Sequence, residues 1–181
     1  MDRCVVRLNV GCGEFHLDGW CNMDEDPACE PDWTVRVPPI PLGRSTVDEI
    51  WAGHFLEHLE RYEANAFLAE CYRVLVPGGR VGVMVPDTLE VMRRYVFGEE
   101  APMEFPNGVH HDLRDLDEAC ATLLFSTLQR SQHRWAYDRM TLDRALARAG
   151  FVDRREVDRF EDPRVSTGQW YQIGLEALKP S

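Results

Sequence analysis

The sequence predicts an α/β fold on a mostly parallel sheet, and three observations carry that prediction. The apolar, β-branched run from Val5 to Val10 ends in Gly11-Cys12-Gly13, as a buried strand running into a tight turn does. A complete strand–helix–strand unit lies between Val47 and Asp87. Strand-like segments recur along the chain and number seven, and amphipathic helical segments lie among the later ones.

In chain order, the first strand is Val5 to Val10 and the second is Cys21 to Asp24, ending in acids. Trp33 to Val37 reads as the third, cut off by Pro38, Pro39 and Pro41, which lack the N–H that a strand needs. Val47 to Gly53 is the fourth. Ala64, Phe67, Leu68, Cys71, Val74 and Leu75 then fall at helical spacing and make one apolar face. Pro77-Gly78-Gly79 is expected to stop that helix, and Arg80 to Asp87 forms the fifth strand. Strand, helix and strand in this order make a right-handed βαβ crossover.

Beyond Asp87 the pattern loosens. Leu89 to Tyr95 reads as a short helix, Gly98 to Asp115 as loop and Leu116 to Leu128 as helix. Leu142, Ala145, Leu146 and Ala149 give an apolar stripe that closes on Gly150, a residue suited to a helix end. Phe151 to Val157 and Gln169 to Leu178 are the last two strands, expected to pair antiparallel. The whole chain, residues 1–181, reads as one domain carrying an insertion at about 98–132. One step resists the pattern: a parallel crossover usually takes about a dozen residues, and Glu14 to Trp20 is shorter.

Composition narrows the function. The net charge is −11, so a polyphosphate partner meets a repulsive field, and the densest basic groups are only pairs (Arg93-Arg94, Arg154-Arg155). No nucleic-acid partner is expected. No apolar run approaches the roughly 20 residues of a membrane span, and "MDRCVVRLNV" does not have the pattern of a signal peptide. No membrane partner is expected, and the expected location is cytoplasmic. The six cysteines stand singly, without the CxxC of a zinc ribbon or redox pair.

A strand that ends in glycines exposes backbone at the carboxyl edge of a sheet, where open α/β sheets bind ligands. Glycine lets a ligand approach the main chain closely. A carboxylate at the end of the next strand can accept hydrogen bonds from both ribose hydroxyls. Gly11, Gly13 and Asp24 together therefore point to a nucleoside-bearing cofactor, although a purely structural turn explains the two glycines equally well. The dinucleotide pattern GxGxxG is not met, because His16 stands where its third glycine belongs. No Walker-type lysine follows either.

"LNVGCG", "GWCNMD", "VDEIWAGHFLEHL" and "ECYRVLVPGGRVGVMVPD", in that order, resemble the class I S-adenosylmethionine-dependent methyltransferases, in particular their short bacterial type. The resemblance runs through "HRWAYDRMTLDRALARAGF" near the end. It implies a Rossmann-like, seven-stranded, mostly parallel sheet with an antiparallel last strand and helices on both faces. It implies S-adenosyl-L-methionine as cofactor, with Asn9, Gly11, Cys12 and Gly13 as the first cofactor motif. Asp24 would then take the ribose, Met23 or Glu25 would flank the adenosine, and Gly53-His54 would lie beside the sulfonium. Two features depart from the larger members: Glu14-Phe15-His16 follows Gly13 in place of another glycine, and no acid stands at Val35 to Pro38 to hold the adenine amine.

Methyl transfer needs an aligned acceptor, exclusion of water and, for a hydroxyl or ammonium, a base. His133, His111 and His54 are the candidate catalytic residues, since histidine titrates near neutral pH. The insertion would form a lid over the acceptor. Trp135 and Tyr137 read as either pocket wall or core. His54 and His58 sit four apart, but Phe55 follows the first histidine where the zinc pattern HExxH has its glutamate, so no metal set is assigned. Three functions stay open: methylation of a hydroxyl or amine on a small molecule, a catalytically degenerate cofactor-binding or partner subunit, and nucleic-acid methylation, which the acidity disfavours.

Overall fold

In the computed structural model, residues 4–99, 102–104, 110–112, 132–157, 162 and 170–181 are described. Seven strands form one sheet: β1 (Arg7–Val10), β2 (Cys21–Asp24), β3 (Trp33–Thr34), β4 (Val47–Gly53), β5 (Leu75–Pro86), β8 (Val152–Glu156) and β9 (Gln172–Leu178). Their order is β3-β2-β1-β4-β5-β9-β8. The first five run parallel, β9 runs antiparallel to β5, and β8 pairs antiparallel with β9. The sheet is thus the expected seven-stranded, mostly parallel one, with the last strand of the chain, β9, antiparallel between β5 and β8.

Alternation along the strands divides the sheet's two faces. On one, Leu8, Val10, Met23, Ile50, Ala52, Val81, Val83 and Val85 form a buried cluster with Phe67, Leu68 and Val74 of α1 (Arg61–Val74) and Leu142 and Leu146 of α3 (Arg139–Arg148). Each such large side chain adds about 1.5–3 kcal/mol. Glu63 accepts the N–H of Glu60 at the start of α1. Asp138 and Thr141 exchange hydrogen bonds at the start of α3, a reciprocal cap that fixes where the helix begins. The opposite face carries Asn9, Asn22, Glu49 and Trp51, with Leu17 and Trp20 closing over Trp51 and Met84. Gly82 is required there: a Cβ would stand 2.6 Å from the Trp51 ring.

This second face explains how ten residues suffice between β1 and β2 without a helix. Asn9 and Asn22 are register partners, and Asn9 Nδ2 donates to Asn22 Oδ1 and to the Phe15 carbonyl, both at 2.9 Å. Asn22 Oδ1 also takes the Leu17 N–H, and Asn22 Nδ2 reaches Asp32 at 2.8 Å. Buried amides replace the missing helix as the tie between crossover and sheet.

Several boundaries differ from the sequence reading, among them the starts of the first strand, at Arg7, and of the last, at Gln172. The strand expected over Trp33 to Val37 stops at Thr34, ahead of the proline run. Pro77-Gly78-Gly79 does not stand between helix and strand: α1 ends at Val74, and the three residues form a bulge inside β5, where the register against β4 shifts between Val47 and Glu49. The segment read as loop from Gly98 to Asp115 contains a two-stranded ladder, β6 (Pro102–Glu104) with β7 (His110–Asp112). The short helix α2 extends over Thr88–Phe97, started by Asp87 and ended by Gly98 in the left-handed region. The helix expected at Leu116 to Leu128 lies outside the described residues, as does most of the expected lid.

Candidate active site at the carboxyl edge of the sheet

The ends of β1, β2 and β4 lie side by side at one edge, and the residues expected to hold a cofactor gather there. Gly11 has φ +65° and Gly13 has φ +51°, both in the left-handed region that favours glycine. The two glycines meet different surroundings. A Cβ on Gly11 would fall 2.3 Å from Cδ2 of Phe55, whose ring lies against the turn. A Cβ on Gly13 would have nothing within 4 Å, so this glycine borders open space. Phe55, which sequence reasoning did not single out, is itself held edge-on against Phe67 at 5.0 Å.

The turn does not offer its N–H groups to a ligand as expected. Gly11 N–H and Cys12 N–H both donate to the Met23 carbonyl, at 2.8 and 3.1 Å. Gly13 N–H donates to Asp24 Oδ2 at 2.9 Å, and Asp24 Oδ1 accepts the Asp26 N–H at 2.9 Å. The main chain thus draws β1 and β2 together and fixes the Asp24 carboxylate beside Gly13. Cys12 is fully buried, so its thiol faces inward. Asn9 is likewise buried and serves the amide network of the second face. Met23 points into the core, because alternation along β2 turns it away from the face of Asn22 and Asp24; it cannot flank an adenosine by its side chain. Glu25 is exposed, 3.7 Å from Arg36.

At the end of β4, Gly53 pairs with Met84 and hands the chain to His54. His54 has φ +52°, a conformation costing a non-glycine residue about 1–2 kcal/mol. Three contacts hold it there. Its N–H donates to the Met84 carbonyl at 2.8 Å, its Nδ1 lies 3.1 Å from Glu57 Oε1, and its Nε2 lies 2.7 Å from Gln172 Oε1. A carboxylate accepts only, so Nδ1 carries a proton. Gln172 comes from the far end of the chain, set beside the end of β5 by its pairing with Pro86.

Glu57 is 1% exposed. Burial alone pushes its carboxyl up, but the hydrogen bond from His54 and the nearby His54, His58 and His133 outweigh that and hold it below the ordinary value. The Glu57 carbonyl also accepts the N–H groups of Arg134 and Trp135, at 2.7 and 3.2 Å. This clamps the segment after the insertion onto the 56–58 turn and sets His133 edge-on to His58, with ring centroids 4.8 Å apart. Tyr137 is buried in the core, and burial together with the Glu57 charge pushes its phenol up, so it holds its proton near neutral pH. Trp135 is exposed at the surface, under Arg61. His111 lies on β7, and its side chain is outside the described residues.

The structure therefore brings together Gly11, Cys12, Gly13, Asp24, Gly53 and His54, sets Asn9 behind them, and places His133 beside Glu57 rather than at the glycine turn. Glu57 and Gln172 orient His54, and only the pairing of β9 could have revealed the second of them.

Residues 34–83 match the family model described as a methyltransferase domain. No curated protein matches the sequence. Among solved structures, the chain resembles a possible exported protein of Bordetella parapertussis at 15% identity, covering 98% of this chain and 62% of that one with a TM-score of 0.64. It resembles an S-adenosylmethionine-dependent methyltransferase of Archaeoglobus fulgidus at 14% identity, covering 97% and 86%, with a TM-score of 0.58. A third likeness is phosphoethanolamine N-methyltransferase 2 of Haemonchus contortus in complex with S-adenosyl-L-methionine, at 12% identity, 100% and 50% coverage and a TM-score of 0.59. The chain thus spans less than two thirds of the first and third of these proteins. Identities this low speak for the fold, and among the described residues no helix is long and apolar enough to cross a membrane. The matched segment is that of a methyltransferase domain, and the strand order is the fold shared with these solved structures.

Proposed function

We propose that the protein transfers the methyl group of S-adenosyl-L-methionine to a hydroxyl or amine of a small molecule, a metabolite or sugar. The observation that carries this reading is the closed turn at Gly11 to Gly13. Its N–H groups are spent on Met23 and Asp24, so it is no cradle for a pyrophosphate, which needs free donors. A ligand that brings its own donors and a positive charge suits it better, and Asp24 stands ready for ribose hydroxyls beside the open flank of Gly13. The net charge of −11 supports a small acceptor over nucleic acid.

In this reading the bound cofactor would supply a methyl carbon activated by its sulfonium, which the acceptor would attack in line with loss of a neutral thioether. The acceptor's proton leaves to a base or to water. Alignment supplies the largest share, about 7–11 kcal/mol. Of the three histidines expected as base, His54 is the one at the ligand edge, but both its ring nitrogens are engaged, Nδ1 by Glu57 and Nε2 by the Gln172 side-chain oxygen. It therefore serves as a positioning residue, and the proton leaves to water. His54→Ala should then lower turnover while the pH–rate profile keeps its wild-type shape.

Thermal melting tests the cofactor. S-adenosylmethionine and S-adenosylhomocysteine should each raise the melting temperature, because a ligand at about 100 times its Kd adds roughly 2.7 kcal/mol. NAD should not. A shift with NAD alone, or with none of the three, would reject the proposal.

A further inference from the structure

We infer that Glu57, His58 and His133 form a binding site for one divalent transition-metal ion. Each of the three offers a ligand atom, and these atoms all lie within 4.8 Å of one another. The second observation is independent of that clustering. Glu57 is 1% exposed, and among the described residues its Oε2 makes no hydrogen bond, although Oε1 takes His54. A buried carboxylate oxygen without a partner costs several kcal/mol unless a cation or donor meets it. His58 and His133 are the imidazoles grouped with this carboxylate.

The surroundings are those of a prepared site. A ligating carboxylate is commonly held by a hydrogen bond on its other oxygen, and His54 provides that bond, itself fixed by Gln172 at 2.7 Å. The two histidine-bearing segments are already tied together, because the Glu57 carbonyl accepts the N–H groups of Arg134 and Trp135. His58 is only half-buried, which leaves an approach from solvent. Two imidazoles and one carboxylate favour zinc, cobalt, nickel or ferrous iron, whereas magnesium and calcium prefer oxygen throughout. Three protein ligands leave further positions for water or for another ligand. Sequence spacing hides this set: Glu57 and His58 are neighbours on a one-turn helix, and His133 arrives only across the insertion.

The test uses the full-length protein, stripped with a chelator and titrated with Co²⁺. Visible absorption should show ligand-field bands that saturate at one Co²⁺ per chain, and Zn²⁺ should displace the colour where Mg²⁺ does not. In the wild-type protein, proton NMR should show ring protons of two histidines shifted outside the diamagnetic range by Co²⁺. This readout does not depend on any variant folding. His58→Ala and His133→Ala should each weaken Co²⁺ by more than about 100-fold, while His16→Ala should leave it unchanged. Each variant's fold is checked by circular dichroism and by its affinity for S-adenosylhomocysteine, which also separates failure of this inference from failure of the methyltransferase reading. Absence of saturable bands in the wild type, or bands that persist in folded His58→Ala and His133→Ala proteins, would overturn the site.

Discussion

The two halves of the ligand edge are built by different means. At the ends of β1 and β2, everything is local: Gly11, Cys12 and Gly13 bond to Met23 and Asp24, about a dozen residues away. At the end of β4, one local bond from His54 to Glu57 is joined by distant ones: His54 is held by Gln172, 118 residues on, and Glu57 by Arg134 and Trp135. The first half is a backbone construction, so it tolerates few residue types. The second is a side-chain construction, in which a strained histidine and a buried carboxylate depend on segments that meet only in the folded chain. A short sequence motif can specify the first and can do no more than hint at the second.

Substitutions can break this contrast at graded cost. Gly11→Val should be the most damaging, because it joins a positive φ to a collision with Phe55, whose ring comes from the other half. We expect a loss of about 3 kcal/mol or more, seen as a drop in melting temperature. A wild-type melting curve would mean that Phe55 does not close on the turn. Gly13→Val meets no atom, so only its φ of +51° counts, about 1–2 kcal/mol. It should keep a native circular dichroism spectrum yet lose S-adenosylhomocysteine, whereas unimpaired binding would place the cofactor elsewhere. Gln172→Ala probes the distant half. It removes one partner of His54 and should cost about 1 kcal/mol in chemical denaturation.

The smallest effect lies away from the edge and serves as a control. Hydrogen bonds from Arg93, with further help from Arg94, hold the Glu90 carboxyl down at about 2. Its folded value is below its unfolded one, so its stabilisation is present above the ordinary carboxylate value of 4.5 and is lost as pH falls toward about 2. The pair is partly exposed, so the contribution is below about 1 kcal/mol. Glu90→Gln should flatten that part of the stability–pH curve and leave ligand binding intact; an unchanged slope would remove this ion pair from acid stability.

What the sequence disclosed follows the same line. The fourth strand keeps the limits read from the sequence, Val47 to Gly53, and all six residues of the helical stripe are buried, the last of them, Leu75, at the start of β5, because burial at a fixed period writes itself into local composition. Pro77-Gly78-Gly79 misled because the same residues serve a helix stop and a strand bulge; the choice was made by pairing with β4, which composition does not record. The short first crossover looked too short because its helix is replaced by Asn9 and Asn22, residues whose network exists only once β1 and β2 lie side by side. His133 stands out in the sequence as a candidate base, but its neighbours Glu57 and His58 come from the other side of the insertion, so spacing does not group the three. Gln172 carried no signal of its own.

Asp24 is where the account is most exposed, because both oxygens already accept backbone N–H groups and are still assigned the ribose. Titration calorimetry of S-adenosylhomocysteine into wild type and Asp24→Ala tests this directly. One site per wild-type chain is predicted, weakened in a folded Asp24→Ala protein by about 1.5–3 kcal/mol, the range for hydrogen bonds to a charged group. Equal affinity in the two proteins would contradict the assignment of this edge as the cofactor site.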